Sequence, residues 1–207
     1  MSGSVFWPAV WIGLCIAAPV GPIGLLVIGR TLQHGLGVGL ATGLGAAVAD
    51  AAYGAVGAFG VTALMAWLQG LRVPLVLVGS AFLLWLAWRT WRAAPTQGPA
   101  AAAARPALWP SFASTFLLTL SNPATVLSFM AIFGALAAQQ QGVASPALMV
   151  AGVLVGSALW WLALCAAVAR WRQKMATQAQ VWVGRVSALM LAAFALWQLA
   201  QLRPLSG

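Results

Sequence analysis

Acidic residues are almost missing from this chain of 207 residues: one aspartate, Asp50, stands against ten Lys and Arg. Charged residues of either sign make up only 5%, while 63% are apolar. A soluble domain carries roughly 25% charged residues, so this chain cannot cover a water-facing surface. That scarcity excludes a soluble enzyme, a disordered tail and a nucleic-acid-binding module. The net charge of +9 does not restore the last of these. The cations stand singly between apolar runs, not clustered on one face. Histidine occurs once, as His34, and cysteine twice, as Cys15 and Cys165. So few ligands cannot build a metal cage, and no metal or other cofactor is expected. No Lys or Arg precedes the first apolar run. A secretory signal normally opens on such a charge, so the first run is expected to stay as a helix.

What the chain does have is long apolar stretches. A bilayer core of ~30 Å takes about 20 apolar residues per helix. The runs predict membrane helices at about 5–28, 37–66, 73–91, 110–138, 147–169 and 181–202. The connections carry the sidedness. The first holds Arg30 and His34, the third Arg89, Arg92 and Arg105, and the fifth Arg170, Arg172 and Lys174 with Arg185 just beyond. These odd connections hold eight of the ten cations. By the positive-inside rule they face the cytoplasm, which puts both termini outside. Trp7, Trp11, Trp67 and Trp197 fall near outer ends, and Trp88, Trp91, Trp109, Trp171 and Trp182 near inner ends. That is an aromatic belt. Trp160 and Trp161 sit deeper and read mainly as packing.

The longest polar break, 93–106, divides the spans three and three. An odd number of spans in each half inverts one half relative to the other, the precondition for an inverted repeat. The expected fold is all-α: one membrane domain over 1–207, with pseudo-repeats at about 1–92 and 107–207 joined by a cytoplasmic linker. The first and fourth spans each carry helix breakers, Pro19-Val20-Gly21-Pro22 and Ser121-Asn122-Pro123. Pro22 and Pro123 are 101 residues apart, near half the chain. Proline removes one N–H and frees the carbonyl four residues earlier. In hydrocarbon such groups need a neighbour, water or a ligand. Each break also opens a new half-helix whose N–H groups attract anions. Two such ends meeting near the midplane would hold a carboxylate.

Asp50 falls in the middle of the second span. An intramembrane carboxyl is costly and is a functional candidate by default. Gly43, Ala47, Asp50, Gly54 and Gly57 share one helix face, and Gly35, Gly39 and Gly43 extend it in small-xxx-small steps. Small residues let helix backbones close up, so Asp50 should point into the bundle. A carboxyl that gains and loses a proton as a pathway opens couples transport to protons; it could equally balance a cationic substrate or Na⁺.

These residues resemble a known family. Pro19-Val20-Gly21-Pro22 resembles the Pro-x-Gly-Pro signature of the LysE/RhtB amino-acid exporters. The run Gly35-Leu36-Gly37-Val38-Gly39-Leu40-Ala41-Thr42-Gly43-Leu44-Gly45 followed by Asp50, and then Asn122-Pro123, repeat that family's motif order. The resemblance covers the whole chain. It implies efflux of amino acids or similar small metabolites from the bacterial cytoplasm across the inner membrane, by exchange with protons or another cation. It also implies that Pro19, Gly21, Pro22, Asp50, Asn122 and Pro123 line the central site. Ala124 stands where many members carry Lys. The expected partners are the substrate, membrane lipid and, from the glycine-rich faces, a second copy of the chain. Two alternatives remain. A membrane thiol carrier would need Cys15 and Cys165 close together, and a divalent-metal exporter would need more ligands than Asp50 and His34.

Overall fold

The computed structural model describes residues 5–19, 21–58, 72–92, 107–122, 125–126, 128–129, 145–172 and 177–202. Pro123, Val20, Trp67 and the 93–106 linker lie outside these. Among the described residues the chain is helical without strands: α1 (Phe6–Ala17), α2 (Pro22–His34), α3 (Leu36–Ala58), α4 (Arg72–Arg92), α5 (Leu108–Leu120), α6 (Pro146–Arg172) and α7 (Thr177–Ala200). Pro8, Pro22, Pro74, Pro110 and Pro146 all fall in the first turn of their helices. There the missing N–H has no intrahelical acceptor to lose. The prolines therefore mark where helices start and do not break their interiors.

Leu36–Ala58, Pro146–Arg172 and Val181–Ala200 are each long and apolar enough to cross a membrane. Together α1 and α2 are also long and apolar enough to cross, as one broken span or a re-entrant loop, with a 79° bend between them. The bend falls where proline forbids continuation. Gly21 is extended, and Leu25 N–H already donates to its carbonyl at 3.1 Å, so α2 starts afresh.

The first connection differs from its sequence expectation. Residues 29–34 are helix, and Gly35 alone joins α2 to α3. Its φ of 92° is left-handed territory that favours glycine, and its N–H closes α2 on the Thr31 carbonyl at 3.0 Å. Arg30 and His34 are therefore part of a helix end, not of a loop.

α3 lies at the centre, packed against α6, α5 and α2; α1 packs on α6, and α4 pairs with α7, which also touches α2. Glycines set the closest crossings. A Cβ on Gly13 would meet the Val153 carbonyl, one on Gly156 the Val10 carbonyl, and one on Gly152 the Ala9 side chain, so α1 and α6 touch backbone to backbone. Gly45 does the same for α3 on the Phe112 carbonyl of α5. Gly43 leaves room for Trp161, whose Cβ would stand 2.6 Å from an added Cβ. Of the α3 stripe, Gly39 and Gly54 are likewise met from within the chain, by Thr31 and Val153. The outer surface is apolar and rich in exposed tryptophan, with Trp7, Trp11, Trp88, Trp91, Trp109, Trp171, Trp182 and Trp197 all turned outward. This is the exterior of a multi-pass membrane protein.

Candidate functional site

The two sequence breaks meet. Pro22 and Ile23 from the start of α2 line one crevice with Leu118, Ser121 and Asn122 from the end of α5. Gly79 and Leu83 of α4, and Phe194 and Gln198 of α7, complete it. A Cβ added at Gly79 would meet the Ser121 Cβ at 3.4 Å, an ordinary van der Waals contact. The crevice is small, with room for little more than a water molecule. Gln198 in its wall is buried and is held from behind by Ser80, also buried, whose Oγ donates to Gln198 Oε1 at 3.2 Å. Sequence reading missed these two. A Ser and a Gln inside apolar runs were available as a signal, because each needs a partner in hydrocarbon.

The helix ends at the crevice differ in sign. α2 begins there, and its first N–H groups lack intrahelical acceptors. α5 ends there, and its last carbonyls lack donors. Two of these are met locally: Ser121 N–H donates to the Leu117 carbonyl at 2.9 Å, and Asn122 N–H to the Thr119 carbonyl at 3.1 Å. A third, the Leu120 carbonyl, accepts the hydroxyl of Tyr53 from α3. The sequence expectation was two anion-attracting helix starts. Within the described residues, the start of α2 faces the end of α5; residues 125–126 and 128–129 are helical again, and Val126 N–H donates to the Asn122 carbonyl at 3.2 Å, as Leu25 N–H does to that of Gly21. Pro19 and Gly21 sit in the bend itself, with Gly21 N–H turned back on the Pro19 carbonyl at 2.8 Å; neither lines the crevice.

Asp50 points inward, as the small-residue stripe requires, and is 3% exposed. It faces α6. Ser157 Oγ donates to Asp50 Oδ2 at 2.7 Å, and Trp161 Nε1 donates to the same Ser157 oxygen at 3.1 Å. Ser157 and Trp161 are buried too. Trp161 therefore serves more than packing: its indole fixes the hydroxyl that holds the carboxyl. Asp50 does not line the crevice, but Tyr53, one turn along α3, links the two regions through Leu120.

Arg30 is the main surprise. It was expected to be a topology charge at a cytoplasmic edge. Instead its guanidinium turns between α2, α3 and α5, bonded to residues 81 to 85 places along the chain. The two cysteines give no redox site. Cys15 is exposed and Cys165 buried, and both are free thiols; the Cys165 sulfur takes the Thr31 hydroxyl at 3.7 Å.

A bent first helix pair, a second helix end meeting it and one buried carboxyl agree with the comparison by sequence. The model of the LysE type translocator family matches residues 14–201. The chain belongs to the LysE type translocator family. This translocator is 33% identical to an uncharacterized membrane protein of Escherichia coli K12, YahN, over 65% of the chain and 61% of that protein. It thus spans under two thirds of YahN. It is 26% identical to a Bacillus subtilis 168 protein provisionally named an amino acid efflux protein, YcgF, over 76% of the chain and 77% of the relative. It is 28% identical to the chemotactic transduction protein ChpE of Pseudomonas aeruginosa, over 83% and 85%. No solved structure matches it.

Proposed function

We propose that this translocator is a secondary exporter of amino acids or similar small zwitterions, driven by exchange with protons or another cation. The observation that carries this reading is the shared crevice of Pro22 and Asn122, where one helix begins and another ends. A helix start attracts a carboxylate and a helix end attracts an ammonium. A zwitterion brings one of each. Asp50, buried one turn from the tyrosine that caps α5, is the coupling group. Pro19 and Gly21 shape the first bend, while Pro22 and Asn122 contact the substrate.

The packing supports six spans in two inverted halves. α1 crosses α6 through glycine, α5 crosses α3 through glycine, and α3 meets α6 between them. A two-fold in the membrane plane exchanges these two crossings. Rocking of the halves would open the crevice to each side in turn. The cation-rich ends face the cytoplasm of a bacterial inner membrane, with both termini outside.

The test is efflux of a panel of labelled amino acids from cells expressing the chain. Faster loss of at least one than from control cells is expected. A panel that leaves no faster, combined with raised tolerance to a divalent metal, replaces this reading with metal export.

A further inference from the structure

Arg30 carries a charge that no side chain of this protein neutralises. Nη1 donates to Thr42 Oγ1 at 3.3 Å, to the Ser111 carbonyl at 3.0 Å and to Thr115 Oγ1 at 3.2 Å; Nη2 donates to Ser114 Oγ at 3.0 Å. Every acceptor is neutral. The hydroxyls have already given their protons to backbone: Thr42 to the Val38 carbonyl, Ser114 and Thr115 to the Ser111 carbonyl. They can therefore offer Arg30 only lone pairs. Such a ring orients a guanidinium but leaves its charge whole, and a part-buried charge without a counter-ion is costly. Asp50, the sole acidic side chain, is engaged by Ser157 on α6. Three more cationic or ionisable groups crowd the same end. Arg89 and Arg172 act electrostatically on His34, as does Arg30 itself.

A site of this kind takes an anion from outside the chain. Arginine's fork matches a carboxylate, and Nε–H with one Nη2 hydrogen finds no acceptor among the described residues. A polar row leads inward from it. Ser111, Thr115 and Thr119 occupy successive turns of one α5 face, all buried. Thr119 Oγ1, nearest the crevice, is a buried hydroxyl with no partner among the described residues. Asn122 follows three residues on.

We propose that Arg30 is a carboxylate-binding residue at the cytoplasmic mouth, where it docks the substrate before the Thr115–Thr119 row passes it to the crevice at Pro22 and Asn122. This inference rests on the exporter reading above and adds a first binding site to it.

The experiment uses the full chain in phosphatidylcholine liposomes, with whichever labelled amino acid it moves fastest and that compound's α-amide. The unaltered protein should prefer the acid. Arg30→Gln should raise KM for the acid by about ten-fold and erase the preference. Ser114→Asp sets a carboxylate beside Nη2 and should raise KM likewise while raising the melting temperature; Ser114→Asn should do neither. If Arg30→Gln does not fold, the Ser114 pair decides. Transport with unchanged KM and unchanged preference in these variants overturns this inference alone. So does an effect seen only when phosphatidylglycerol is added, since the anion is then a lipid headgroup. An unaltered protein that moves no member of the panel overturns the exporter reading and this inference with it.

Discussion

Asp50 is held by one hydroxyl, and that hydroxyl is held by one indole. The chain Trp161–Ser157–Asp50 is short, buried and contributed by two helices. A carboxyl in this setting can change protonation only when water or substrate reaches it, which is what coupling demands. Asp50→Asn keeps the shape and removes the titration. It should insert normally yet lose acceleration of efflux by a proton gradient, checked by comparing transport with and without the gradient. Ser157→Ala should destabilise the protein by about 1–3 kcal/mol, because it strips a buried carboxyl of its donor; thermal unfolding in detergent measures this. Tyr53→Phe belongs to the same class. It leaves the Leu120 carbonyl at the α5 end without its donor and should lower stability by about the same amount.

At the scale of elements, glycine decides how close helices come. α6 rides on α1 through Gly152 and Gly156, so Gly156→Ala puts a methyl group onto the Val10 carbonyl. Overpacking of this kind costs about 1–3 kcal/mol, and a lowered melting temperature in detergent is expected. Gly29 in α2 is the internal control: nothing lies within 4 Å of an added Cβ, so Gly29→Ala should be tolerated. Helix starts were legible in the sequence because proline acts locally. Pro22 and Pro146 each open a helix at its first residue. The inward face of Asp50 was legible for a similar reason, as the small residues around it repeat at helical spacing. The connection at Gly35 was not. A single glycine can join two helices only by adopting a positive φ, and composition does not announce that.

On the scale of the whole molecule, what sequence could not show is contact between distant segments. Arg30 read as a topology cation because its neighbours in sequence are apolar. Its acceptors lie mostly on α5, and only folding brings them together. Ser80 and Gln198 were missed in the same way, 118 residues apart yet bonded behind the crevice. The converse also holds. Pro22 and Asn122 could be paired in advance because both mark helix interruptions at matching places in the two halves. Family membership and this meeting of the breaks jointly support transport of a small zwitterion. The most direct check is release of preloaded, labelled amino acids from liposomes containing the purified chain, with and without an imposed proton gradient. A proton-coupled exporter releases at least one of them faster under the gradient, and Asp50→Asn removes that gain. Release no faster than from protein-free liposomes, at every gradient and for every amino acid in the panel, ends the exporter reading.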